Sequence, residues 1–159
     1  MARRGNGVVW LLGVALVATI AFGLVQIRAT VLEVSRMGLV RSIEQHGRYV
    51  ARIVASGGDP SGEIRAFYAQ FENDAMFERS HGGFLAFRRL SGRLEPIAAT
   101  VQVEHLISSE GLAKLEPELR ERTCKKTVTW VTRDHRNVEL MVALQNLADS
   151  PYVVVQVLG

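Results

Sequence analysis

Hydrophobic and polar positions divide the chain into a uniformly apolar stretch, a helically periodic stretch and an alternating stretch. Residues 5–27 (GNGVVWLLGVALVATIAFGLVQI) contain no charged side chain and follow Arg3 and Arg4. As an α-helix, residues 8–27 would extend about 30 Å, the thickness of a bilayer's hydrocarbon core. The run therefore predicts a transmembrane anchor. Beyond it, Leu32, Leu39, Ile43, Val50, Ile53 and Val54 recur at sevens, fours and threes, with Arg41, Glu44, Arg48 and Arg52 between them. That spacing predicts one long amphipathic helix ending at Ser56-Gly57-Gly58, where glycine supplies a left-handed stop. No proline or linker separates it from the anchor, so a continuous rod coupling membrane to domain is expected.

Asp59-Pro60 gives an N-cap followed by proline in the first helical position. Ile64, Phe67, Tyr68 and Phe71 then form a stripe at i, i+3, i+4 and i+7, predicting a second helix to about Glu72. From Gly83 the period changes to strand-like runs. Residues 84–90 and 93–99 read as a hairpin turned at Ser91-Gly92. Residues 110–121 return to helical spacing through Leu112, Leu115 and Leu119, with Pro117 expected to shorten or kink that helix. Strands over 126–132, 138–144 and 152–158 follow, separated by turn formers at Asp134-His135-Arg136-Asn137 and Ala148-Asp149-Ser150-Pro151. The expected fold is α+β: a five-stranded antiparallel sheet with the long helix over one face.

A cleavable signal peptide is the main rival to the anchor, because Ala21-Phe22-Gly23 has the small-x-small form of a cleavage site. Apolar residues continue past it through Leu24, Val25 and Ile27, which favours retention. The chain thus divides at residue 27 into a cytoplasmic tail with anchor (1–27) and one domain (28–159). Arg28, Arg36 and Arg41 beyond the anchor blunt the charge asymmetry set by Arg3 and Arg4. The short arginine-bearing tail still orients the domain to the extracytoplasmic side.

Composition narrows the function classes. The net charge is +3, of which Arg3 and Arg4 supply two, so the domain carries +1. That is no electrostatic footprint for nucleic acid. Cys124 is the sole cysteine, which excludes an intrachain disulfide. His46, His81, His105 and His135 lack the close spacing of metal ligands, and no phosphate-binding glycine loop or nucleophile–base arrangement is present. Neither a metal, a cofactor nor an enzymatic reaction is expected.

The element order resembles membrane-anchored sensor domains of the Cache or extracytoplasmic PAS-like type. The resemblance runs through LVRSIEQHGRYVARIVASGG, the hairpin GFLAFRRLSGRLEPIA, the segment VEHLISSEGLAKLEPELRERT and the strands ending in SPYVVVQVLG. It implies a membrane-proximal helix, a five-stranded sheet and a ligand-facing helical insertion between the second and third strands. It also implies an inner-membrane, periplasmic input domain for a histidine kinase, cyclase or chemotaxis-type receptor, whose output would lie beyond Gly159. The arginine and histidine signature of the dicarboxylate-binding members is not found, nor is the tyrosine, tryptophan and aspartate pattern of the amino-acid-binding ones. The ligand class does not transfer.

In such an arrangement, Tyr68, His105, Arg122 and Trp130 are the candidate ligand-binding residues, since polar groups converging in an apolar cleft orient a small ligand. Each has a plainer reading as well, Tyr68 and Trp130 as core and Arg122 as a solvated helix end. Ala15, Thr19 and Gly23 place small side chains on one face of the anchor, suited to close helix approach in lipid. With the near-heptad spacing of the long helix they favour a homodimer. Partners are thus the bilayer, a second copy, and a small molecule or membrane protein. A different class remains open: a small single-pass accessory subunit that scaffolds a membrane complex without a ligand.

Overall fold

The computed structural model describes residues 5–71, 82–91, 93–100, 103, 106–123, 126–134 and 136–159. In chain order the elements are α1 (Gly5–Ala55), α2 (Pro60–Phe71), β1 (Gly83–Leu90), β2 (Arg93–Ala99), α3 (Ser109–Arg122), β3 (Thr127–Arg133), β4 (Glu139–Asn146) and β5 (Tyr152–Leu158). The chain forms two compact units, Met1–Met37 and Gly38–Gly159.

The first unit is α1 as far as Met37. Before Arg28 it is apolar on every side: Trp10, Leu12, Phe22 and Ile27 each expose 63–76% of their surface. By length and composition the helix is able to cross a membrane. Its two threonine hydroxyls are satisfied within the helix. Thr19 Oγ1 donates to the Ala15 carbonyl at 2.8 Å and Thr30 Oγ1 to the Gln26 carbonyl at 2.9 Å.

The second unit is built on an antiparallel sheet of order β2-β1-β5-β4-β3. Valine-rich β5 lies at its centre, and every residue from Tyr152 to Val157 is buried. Alternation along the strands sorts the core into two clusters. Val153, Val155 and Val157 share one face with Leu85, Phe87, Leu140, Val142 and Leu144, and Leu115 and Leu119 of α3 cover them. Tyr152 and Val154 share the other face with Phe84, Ala86 and Ala143, beneath Leu39, Ile43 and Val50 of α1 and Ile64 and Tyr68 of α2. The expectation that the long helix covers one face holds, and α3 closes the second. The physical reason is β5 itself, which is buried on both sides, with Val153, Val155 and Val157 on one and Tyr152, Val154 and Gln156 on the other.

Local chemistry sets the boundaries. Gly57 ends α1 with a φ of +81°, a conformation open to glycine. The Ser61 N–H donates to Asp59 Oδ1 at 3.2 Å, the predicted cap of α2. Ser108 caps α3 by accepting from the Gly111 N–H at 3.2 Å. Pro117 does not shorten α3, which continues to Arg122. Leu115 and Leu119, on either side of the proline, are 3% and 0% exposed and hold both halves of the helix on the sheet. At Gly83 the chain passes close to itself, and a Cβ there would lie 2.6 Å from the Val103 backbone nitrogen.

Leu119→Ala should therefore lower the unfolding free energy by about 2–5 kcal/mol, the usual range for emptying a buried leucine site. Chemical denaturation of the full chain in detergent measures this, and Leu12→Ala in the exposed apolar segment should leave the midpoint unchanged.

Candidate functional site

Three polar constellations stand out in the Gly38–Gly159 unit. The first lies on the α1/α2 face. His46 is only 4% exposed and stacks on Phe84 with ring centroids 4.2 Å apart. Its Nε2 shares a hydrogen bond with the Tyr68 hydroxyl at 2.8 Å, and Phe67 packs 5.7 Å from the imidazole centroid. Burial alone holds the imidazole pKa down to about 4 and pushes the Tyr68 phenol up. Both groups are neutral near pH 7. A neutral imidazole stacked on phenylalanine and tied to a phenol fills the core and satisfies its own polar atoms.

The second constellation fastens α3 to β3. Glu118 uses both carboxylate oxygens, accepting from Trp130 Nε1 at 2.7 Å and from Thr132 Oγ1 at 3.0 Å. Four residues on, one helical turn, the Arg122 guanidinium lies 4.8 Å from the Trp130 ring centroid in cation–π geometry. A charged acceptor, an indole donor and a stacked cation thus share one indole ring.

The third is a cleft of 420 Å³ between the end of α3 and the β1–β2 hairpin, lined by Arg89, Leu94, Pro117, Arg120, Glu121 and Thr123. Arg89 donates to Asn146 Oδ1 at 2.7 Å, and Asn146 in turn donates from Nδ2 to the Thr123 carbonyl. By contrast, the crevice between α3 and β3–β4, lined by residues such as Ile107, Gly111, Leu115, Thr132 and Leu140, is too narrow for a water molecule.

The β3–β4 turn adds a fourth polar feature, a structural one. Asp134 accepts from the backbone N–H groups of Arg136 and Val138 at 2.8 and 2.9 Å and from Arg136 Nε at 2.9 Å. Burial pushes its carboxyl up, but those donors and the guanidinium outweigh it and hold the pKa below the usual carboxylate range. Arg136 also reaches the Leu106 carbonyl at 3.2 Å, tying the turn to the segment before α3.

Of the four predicted ligand residues, Arg122 and Trp130 come together, while Tyr68 sits on the opposite face of the sheet in contact with His46. His105 lies outside the described residues, as do Arg3, Arg4, His81, Gly92, Cys124 and His135. In the apolar segment of α1, Ala15 and Thr19 are exposed, and nothing lies within 4 Å of a Cβ built at Gly23. Sequence reasoning missed Glu118, Arg89 and Arg120. Only Glu118 carried a signal, its i, i+4 spacing to Arg122. Among the described residues no group of three His, Cys, Asp or Glu could hold a metal ion.

Comparisons with family models, curated proteins and solved structures find no match.

The His46 environment predicts an acid-sensitive core. The imidazole binds its proton near pH 6.5 in the unfolded chain and near pH 4 in the folded one. Between those values the unfolded state holds more protons, so stability is complete above pH 6.5 and falls as the pH drops toward 4. The loss amounts to about 3 kcal/mol. Denaturation midpoints measured from pH 7.5 to 5 should show this slope, and the His46→Phe, Tyr68→Phe double variant should lack it.

Proposed function

We propose that this chain is a single-pass inner-membrane protein whose Gly38–Gly159 unit is a periplasmic sensor module of the PAS or Cache-like class, working as a homodimer. The observation that carries the membrane part is the exposed apolar surface of α1 over residues 10–27, which ends at Arg28. Support for the sensor part comes from the element order: a membrane-proximal helix, a hairpin, a helical connection and three further strands in one antiparallel sheet. Helix α1 also supplies Leu39, Ile43, His46 and Val50 to the sheet's core, so a change in sheet packing is felt by the same helix that carries the apolar segment. Binding falls to the α3 side, where the cleft offers ligand-sized space.

A second reading, a scaffold subunit of a membrane complex without a ligand, is favoured by the space directly between α3 and the sheet. Leu115, Leu119, Leu140, Val142 and Val155 fill it and leave no cavity for a ligand of the size a sensor takes.

Two measurements test the proposal. In membranes carrying the native chain, the protein should resist alkaline carbonate extraction and become protease-accessible on opening the outer membrane alone. Release by carbonate defeats the anchor. Thermal unfolding of the full chain in nanodiscs, screened against metabolite fractions, should show at least one fraction that raises Tm. A flat screen together with a stable partner recovered by crosslinking turns the assignment to the scaffold.

A further inference from the structure

We propose that the cleft between α3 and the β1–β2 hairpin is a binding site for a small organic anion, a carboxylate or phosphate on a short carbon skeleton, recognised by Arg89 and Arg120. The inference deepens the sensor reading and rests on it for its biological purpose.

The cleft's 420 Å³ lies within the range of small-molecule sites. Its position follows from the fold. Arg89 continues the row Leu85, Phe87 on the face of β1 that α3 covers, and Leu94, its register partner on β2, is buried beneath the helix. Pro117, Arg120 and Glu121 recur at i, i+3 and i+4 and form the helical wall. Leu94 and Pro117 offer apolar contact for a carbon skeleton. Arg89 and Arg120 offer planar N–H forks suited to paired oxygens.

Arg89 is held in place. One guanidinium nitrogen donates to Asn146 Oδ1, while the Asn146 backbone N–H donates to the Lys126 carbonyl at 2.9 Å and its side chain to the Thr123 carbonyl. A guanidinium carries five N–H donors, so one such bond leaves capacity for a ligand. The Arg120 guanidinium has no hydrogen-bond or ion-pair partner among the described residues.

Two features could oppose an anion, and both are offset. Glu121 lines the cleft but pairs with Arg122 at 3.6 Å. The C-terminal end of α3 presents carbonyl oxygens, which repel anions. Here the Arg120 carbonyl accepts from Thr123 Oγ1 at 2.8 Å, and the Thr123 carbonyl accepts from Asn146. Two carbonyls at that end are thus occupied, and the lining carries two arginines against one carboxylate.

The test uses the full chain in phosphatidylcholine nanodiscs, with thermal unfolding followed against succinate, glycerol 3-phosphate and inorganic phosphate at ionic strength held constant with sodium chloride. At least one anion should raise Tm saturably by a few degrees, while neutral succinamide should not. Arg120→Gln removes no hydrogen bond within the fold and should weaken the half-saturating concentration about tenfold or more. Arg89→Gln should act in the same direction, and Lys126→Gln should leave the response unchanged. Discs containing phosphatidylglycerol identify the oxyanion's source: an Arg120-dependent rise in Tm without added anion assigns it to a lipid headgroup. The proposal is overturned if no anion gives a saturable shift, or if the shift persists undiminished in both arginine variants. Should uncharged metabolites stabilise the protein where the anions do not, this inference falls and the sensor reading stands. If nothing stabilises it, both fall.

Discussion

The second unit depends on one constraint: its central strand is buried on both sides. From Tyr152 to Val157 every residue of β5 is buried, so water must be kept from two faces of the sheet at once. One helix layer cannot do this. The residues of α1 beyond Gly38 join α2 over Tyr152, Val154, Phe84 and Ala86. The segment between β2 and β3 therefore has to return as a helix over Val153, Val155 and Val157. The position of α3 is in this sense a consequence of β5. So is the cleft, because it forms where the end of α3 runs out over the flared β1–β2 hairpin.

The polar groups divide by how fully they are used. Glu118 and Asp134 each spend their carboxylate oxygens on donors within the fold, and each pins an element: α3 to β3 in one case, the β3–β4 turn to the segment before α3 in the other. His46 and Tyr68 satisfy one another inside an aromatic nest. The His46–Tyr68 pair above all resists change, since removing one partner strands the other in a buried site. Arg89 and Arg120 differ because solvent reaches them and only part of their donor capacity serves the structure. Recognition belongs to the second kind of group, and that distinction separates the cleft from the better-ordered networks around it.

Much of the architecture was legible from periodicity alone. Asp59-Pro60, Ser56-Gly57-Gly58 and the two turn clusters mark boundaries through backbone chemistry that acts within a few residues, and the structure places them there. Two expectations drawn from local rules needed tertiary information. Pro117 costs α3 a hydrogen bond, but Leu115 and Leu119 are buried on either side of it and the helix persists. The second covered face was implicit in SPYVVVQVLG, where the near-continuous valines signal two-sided burial instead of alternation. The candidate site was far less legible. Arg122 and Trp130 do meet, whereas Tyr68 turned out to face the other layer, because helix α2 and helix α3 cover opposite sides of the sheet. Arg89 and Arg120 lie on different elements and come together only through the register of β1 with β2 and the docking of α3.

The two helical layers also differ in how they could respond to a ligand. Beneath α1 and α2 the core holds interlocked rings, with His46 between Phe84, Tyr68 and Phe67, and displacement there would break a buried hydrogen bond as well as aromatic packing. On the other side, α3 rests largely on branched aliphatic side chains and is tied toward its C-terminal end by polar contacts, Asn146 to the Thr123 carbonyl and Glu118 to Trp130 and Thr132. Aliphatic contact is non-directional and tolerates small sliding, while the polar ties define which end is held. An anion held by the remaining Arg89 donors would be linked through Asn146 to the Thr123 carbonyl at the end of α3. Asn146 stands at the end of β4, paired with Val153 of β5, so the same residue joins the cleft to the strand pair that both helical layers share.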